Sequence, residues 1–189
     1  MTDTQSPPVN IRRLSVDDAE LLIRLGRETF YDTFTGTCTE ADMVHFLDET
    51  FHPQQVQTEL TDSDDFFYVA EADGEALGYL RIKEDYRSFP YMRRWKALEI
   101  KRIYVRKAFH GRDVGRVLLE FALEQAGLGN YDVVWLGVWE HNLRARRFYE
   151  KYGFSSSGHT HDFPIGSTPQ TDLWYWRFLS ADSGSGTPS

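Results

Sequence analysis

A mixed α/β layer architecture follows from three features of the sequence. Helix-period segments opened by capping residues occupy the first third, strand-like segments dominate from Phe66 onward, and two further helix patterns interleave with the later strands. Val9–Leu14 alternates as a short strand. Ser15 follows as an N-cap, with Asp18 in the place of a capping-box partner. Leu21, Leu22, Leu25, Phe30 and Phe34 suit one apolar side of a helix, with a break expected near Thr33. Thr39 caps a second helix running to about Thr50, and Pro53 opens a third ending near Leu60. Phe66–Glu71 and Ala76–Ile82 read as strands around Asp73-Gly74, a strong hairpin signal. Residues 85–96 read as a mobile loop, Leu98–Val105 as a strand, and Val114–Ala126 as an amphipathic helix ended by Gly127. Asp132–Val138 is a buried strand, Leu143–Tyr152 a helix stopped by Gly153, and Phe154–His161 and Thr171–Leu179 are the last strands.

The 189 residues suffice for one domain, expected over 9–179, with disordered tails at 1–8 and 180–189. A net charge of −8 argues against nucleic acid or anionic membrane as partner and favours cations. The lone Cys38 excludes an intrachain disulfide, and no long apolar run or secretory leader is seen, so a soluble cytoplasmic protein is expected. Cys38 has no evident base beside it and is remote from the motifs below, which makes it a poor nucleophile. His45, His52, His141, His159 and His161 lack ligand-like spacing, so no metal site is expected, although His159 and His161 would share one face of a strand. At 15% the aromatic content is high, enough to line a pocket or simply to fill a core with bulky side chains.

The segment from Ile103 to Gly115 passes from strand to helix through His110-Gly-Arg-Asp-Val-Gly115. A helix N-terminus offers unpaired N–H groups and the positive end of a dipole, which suit a phosphate. Gly111 and Gly115 allow close backbone approach, and Arg112 and Arg116 add positive charge. Downstream lies Asn142-Leu-Arg-Ala-Arg-Arg-Phe-Tyr-Glu-Lys-Tyr-Gly-Phe154.

Together these segments resemble the acyl-CoA-binding core of the GNAT superfamily of N-acetyltransferases. The resemblance implies a central mixed, mostly antiparallel sheet of six to seven strands flanked by helices, with acetyl-CoA as co-substrate. The family's phosphate loop reads Q/R-x-x-G-x-G/A. Here His110 stands for Gln or Arg, Asp113 replaces the central glycine, and Gly115 matches. Asp113 either brings a carboxylate towards the pyrophosphate or turns to solvent, pairing with Arg112 or Arg116 and capping the helix. The resemblance implies that the turn, Val114 included, holds the pyrophosphate, and that Asn142 contacts the cofactor arm. It also implies that the backbone N–H groups of Ile103, Tyr104 and Val105 meet the acetyl carbonyl and pantetheine at a splay between strands.

Tyr149 corresponds to the general acid that protonates the departing thiolate, while the alternative is plain packing of a helix on the sheet. An alkylammonium, with a pKa of roughly 10, must also lose a proton before it can attack. Glu99, on the strand before the loop, stands at the spacing of the general base in histone-type members, or is an ion-paired carboxylate beside Lys101.

Further phrases resemble the bacterial PaiA-type spermidine/spermine acetyltransferases: Glu28-Thr-Phe-x-Asp-Thr-Phe34, Leu98-Glu-Ile-x-Arg-Ile-Tyr104, Trp135-Leu-Gly-Val-Trp-Glu-x-Asn142 and Gln170-Thr-Asp-Leu173. The implied reaction is acetyl transfer to a polyamine by direct attack in a ternary complex, and a homodimer is compatible with it. Such a substrate calls for spaced carboxylates with aromatic faces between them. Glu28, Asp32, Glu140 and Asp172 supply candidate charges, and Tyr31, Trp135 and Trp139 candidate faces. Glu28 and Asp32 equally suit a solvated helix edge, and the two tryptophans a sheet core. Two other functions stay open: acetylation of another amine (a protein N-terminus, an antibiotic, an amino acid), and a degenerate acyl-CoA-binding regulatory module.

Overall fold

The computed structural model describes residues 8–179, so the expected tails lie outside the described residues apart from Pro8. Strand β1 (Asn10–Arg13) leads through a 3-10 turn (Val16–Asp18) into three helices, α1 (Ala19–Phe34), α2 (Glu40–Thr50) and α3 (Pro53–Thr61). Ser15 donates its backbone N–H to Asp18 Oδ2 at 2.9 Å, and the Thr39 hydroxyl accepts from the Asp42 N–H at 3.1 Å, as their capping roles require. Next come β2 (Asp65–Ala72), β3 (Glu75–Lys83), β4 (Ala97–Val105), α4 (Val114–Leu128), β5 (Val133–Trp139), α5 (Leu143–Lys151), β6 (Ser155–Asp162) and β7 (Thr171–Phe178).

The seven strands form one sheet in the order β1-β2-β3-β4-β5-β7-β6. Every neighbouring pair is antiparallel except β4 and β5, which run parallel because α4 carries the chain across between them. One face packs on α4 and α5 through Leu80, Leu98, Ile100, Leu118, Leu119, Val134, Leu136 and Tyr149. The other face meets α1, α2 and α3 over β2–β4, and the segment after β3 covers it over β5 and β7.

Two sequence expectations change here. Helix α4 does not stop at Gly127 but runs to Leu128, and the Gly129 N–H closes it on the Gln125 carbonyl at 2.9 Å. Glycine is needed at 129, because a Cβ there would stand 2.5 Å from the Tyr131 ring. The stretch expected as a mobile loop contains a 3-10 turn (Pro90–Arg94) and is anchored by buried Phe89 and Met92. Phe89 stacks on Trp174 with centroids 5.5 Å apart, so aromatic burial holds a segment whose composition reads as loop.

Arg81 on β3 is 8% exposed and reaches the cleft wall described below. It is held by Asp65 through bonds of 2.9 and 2.6 Å and by Glu59 of α3 at 3.1 Å. Removing one partner from a buried charge cluster strands the other. Asp65→Asn is therefore expected to lower unfolding free energy by about 3 kcal/mol or more, read by urea denaturation.

Candidate active site

The β4–β5 ladder runs only from Ala97↔Val133 to Ile100↔Leu136. Beyond that point the strands part, while β4 stays paired with β3 as far as Gly78↔Val105. The Arg106 N–H bonds the Leu77 carbonyl at 2.9 Å, which sets the alternation of that antiparallel ladder. Tyr104 therefore directs its N–H to β3, and Ile103 and Val105 direct theirs to the open side. Of the three N–H groups expected at the splay, Tyr104's is thus engaged within the sheet.

A cleft of about 1100 Å³ fills this opening and reaches both faces of the sheet. Its mouth is the turn after β4 and the N-terminus of α4. Ile103, Tyr104, Val105, His110, Gly111, Asp113, Val114, Gly115, Arg116 and Asn142 all line it, whereas Arg112 does not and instead lays its guanidinium 5.5 Å from the Phe109 centroid. Lys107, Arg144 and Lys151 also line the cleft. The sequence reading passed over them, though Arg144 and Lys151 lie within the quoted motif. With Arg116 they make a basic rim on an acidic molecule.

The turn is locked onto the splay. His110 Nε2 lies 2.8 Å from the Val105 carbonyl, and Arg144 Nη1 lies 3.1 Å from His110 Nδ1. A carbonyl only accepts and a guanidinium only donates, so the ring carries its proton on Nε2 and leaves Nδ1 bare. Asp113 adopts the left-handed conformation at φ 61°, which suits the glycine expected there, and asparagine or aspartate next best. Its side chain makes no capping bond. It is exposed and lies 3.5 Å from Arg116 Nη2. Asn142 has a structural task as well: its Oδ1 accepts the Ala145 N–H at 3.0 Å and caps α5.

Tyr149 lines the cleft from α5 at 7% exposure, and burial raises its phenol pKa, so it stays protonated through the neutral range. Glu99 also lines the cleft. It is buried, 2.9 Å from Lys101 Nζ, and the same ammonium lies 3.4 Å from Asp85 Oδ2. Burial raises the Glu99 pKa against the opposing pull of Lys101.

On the face covered by α1 and α2 the cleft has aromatic walls, a chamber that includes Phe30, Phe34, Phe46, Phe163, Trp139 and Tyr104. Asp32 and Asp172 line it as well. No side-chain hydrogen bond or ion pair engages the Asp172 carboxylate among the described residues, and burial lifts its pKa from 3.8 to about 6. Its Oδ2 lies 2.9 Å from where a Cβ on Gly137 would stand, so the glycine makes room for it.

Four residues expected to contact substrate lie elsewhere. Glu28 is one turn from Asp32 on α1 but pairs with Arg106 at 2.8 Å beside a separate small pocket. Tyr31 points outward from the same helix and is 39% exposed. Trp135 shares a face of β5 with Trp139, yet it is fully buried between Phe89 and Trp174, which cap that end of the strand. The Glu140 side chain does not line the cleft and lies 3.7 Å from His141 Nε2, while its backbone carbonyl accepts from Arg146 at 3.1 Å. Among the described residues no group of three or more His, Cys, Asp or Glu is placed to hold a metal ion.

Burial of Asp172 sets a pH-dependent cost. Its folded pKa exceeds its unfolded value, so the unfolded chain releases the proton first and stability falls between about pH 4 and pH 6. Asp172→Asn should thus raise unfolding free energy at pH 8 by as much as about 3 kcal/mol and leave it unchanged near pH 3.5. Denaturant titrations at the two pH values measure the difference.

Comparison with known proteins bears on the same elements. The model of the acetyltransferase (GNAT) family matches residues 27–154. An uncharacterized N-acetyltransferase in the pepI 3′ region of Lactobacillus delbrueckii subsp. lactis is 38% identical over 165 residues, 87% of this chain and 94% of its own length. The spermidine N(1)-acetyltransferase of Thermoplasma acidophilum is 27% identical over 153 residues, covering 77% of this chain and 88% of that protein. Among solved structures, the PaiA N-acetyltransferase from Thermoplasma acidophilum in complex with coenzyme A superposes with a TM-score of 0.75 at 22% identity, covering 91% of this chain and 99% of the other. The mostly antiparallel sheet, the splayed central strands and the matching family model agree: this chain belongs to the GNAT family of acetyltransferases.

Proposed function

We propose that the protein transfers an acetyl group from acetyl-CoA to a primary amine of a polyamine or similar aliphatic cation, by direct attack within a ternary complex. The observation that carries this reading is the continuity of the cleft. It runs from the basic rim and the N-terminus of α4, through the splay, into a chamber with aromatic walls and carboxylates. The rim and the open N–H groups of α4 suit a pyrophosphate, and the chamber suits a cation. Similarity to a spermidine acetyltransferase supports the polyamine.

Bound acetyl-CoA supplies an activated acyl group and a thiol leaving group. Lys107, Arg116, Arg144 and Lys151 hold its phosphates by charge, and Asn142 borders its path while capping α5. The Ile103 and Val105 N–H groups, free of β3, are donors for an acyl carbonyl and for the negative charge that develops on its oxygen. Tyr149, kept protonated by burial, gives its phenolic proton to the leaving sulfur. Two buried carboxylates compete as acceptor of the amine's proton: Glu99, expected from the sequence, and Asp172.

A non-catalytic acyl-CoA-binding module draws support only from Asp113, and the ion pair with Arg116 turns that carboxylate to solvent.

Calorimetric titration should give micromolar binding of acetyl-CoA, and turnover should follow with spermidine in preference to amino acids or peptide N-termini. Silence with every amine despite tight binding would return the module reading. Tyr149→Phe is expected to cut turnover by roughly 10²–10⁴-fold with CoA affinity unchanged. Asp113→Gly removes a negative charge from the cleft lining, so it should tighten acetyl-CoA binding by about 1 kcal/mol, or fivefold, in the same calorimeter.

A further inference from the structure

The two carboxylates that compete for the amine's proton are not equivalent. Glu99 lies opposite Trp135, in the stretch where β4 and β5 are still paired. Its charge is met by Lys101 at 2.9 Å, and Lys101 is shared with Asp85. An arriving ammonium would have to displace a resident one. An ion-paired carboxylate is also a poorer base than a free one in the same surroundings.

Asp172 stands opposite Trp139, beyond the point where the strands part. Its carboxylate has no partner among the described residues, and Gly137 makes room for it. Trp139, Trp174 and Tyr104 line the same part of the cleft, offering ring faces to a cation. The Trp139 indole Nε1 is buried there without an acceptor. Tyr104 and Tyr149 line the same cleft as Asp172.

We propose that Asp172, rather than Glu99, is the carboxylate that receives the substrate's primary ammonium group and takes its proton. This rests on the acetyl-transfer reading above and adds the identity of the base and the place of the amine. In a desolvated chamber a neutral amine beside a carboxylic acid is favoured relative to the charged pair, which eases the transfer. The amine's lone pair then forms the C–N bond to the acyl carbon, and the C–S bond breaks with its electrons on sulfur. Two protons leave nitrogen in all. One goes to Asp172 and on to solvent, and the other replaces the proton that Tyr149 gives to sulfur.

Other titratable groups surround Asp172. His161 on β6 is its cross-strand partner and stacks on Trp174 with centroids 5.0 Å apart. Among the groups lining the cleft, Tyr104 and Arg102 come from β4, Tyr149 from α5, Asp32 from α1 and His141 from the turn after β5. The imidazole of His161 is the one that most needs separating from Asp172 in a pH profile.

The test uses the full-length protein with spermidine in two measurements. One is the pH dependence of kcat/KM, and the other is calorimetric binding of spermidine to the CoA-loaded protein. Asp172→Asn should lower kcat/KM at pH 8 by about 100-fold or more and abolish the acidic limb that wild type shows near pH 6. It should weaken spermidine binding by roughly tenfold while CoA binding stays intact, which certifies the fold. Glu99→Gln should lose less than about tenfold and keep the limb, and His161→Gln should keep the limb. An Asp172→Asn enzyme that retains both rate and limb overturns the assignment, as does a limb lost in His161→Gln or Glu99→Gln instead. If wild type acetylates nothing, the acetyl-transfer reading fails and the calorimetry still decides: weaker spermidine binding in Asp172→Asn upholds the ammonium site, and equal binding removes it.

Discussion

The separation of β4 from β5 after Ile100 and Leu136 is the constraint on which the rest of the structure depends. Interior backbone groups that lose their ladder must find other partners or face a ligand. The Val105 carbonyl finds one in His110, and Arg144 fixes the ring from its other nitrogen. The turn before α4 is thereby fastened to the open edge of β4, and the N-terminus of α4 faces the same opening. Helix α5 forms the other jaw. Its start is capped by Asn142, and Arg146 ties it to the Tyr175 hydroxyl at 3.2 Å.

Charge is sorted along this opening. A molecule of net charge −8 collects lysines and arginines at the mouth of the cleft and keeps carboxylates inside. The inner charges fall into two kinds. Arg81, Lys101, Glu59, Asp65, Asp85 and Glu99 belong to ion-paired clusters that hold strands and helices together. Asp172 belongs to none, and its burial weakens the fold at neutral pH. A group that costs stability and fills no gap is what a binding or reacting site leaves behind, since sites are shaped for their ligands rather than for the empty chain.

The aromatic residues divide in the same way. Trp135 and Trp139 lie on one face of one strand, four positions apart. The segment anchored by Phe89 and Met92 covers the first, and the second is left to line the chamber with Phe34 at 5.5 Å. Nothing local distinguishes them. The chamber's other walls come from α1, α2 and the chain around Phe163, which meet only because α1 and α2 lie over β4.

From the sequence alone, the elements, their order, the hairpin at Asp73-Gly74 and the phosphate turn were legible. Each of these depends on chemistry within a few residues: apolar period, capping side chains, and glycine or aspartate where φ is positive. The motif from Asn142 to Phe154 marked Tyr149 for the same reason, since one short helix carries all its parts. What lay beyond such windows was decided by tertiary structure. The length of α4 depended on Tyr131 folding back over Gly129, and the order of the segment after β3 on an aromatic cluster built from three other strands. Whether a carboxylate met a cation, a ligand or nothing could not be read locally either. Glu28 found Arg106, 78 residues away, and Asp172 stayed unpaired although Arg102 of β4 and His161 of β6 line the same cleft. Local sequence sets backbone geometry through short-range sterics and hydrogen bonds, whereas the environment of a charge is made by whichever distant segments the sheet brings beside it.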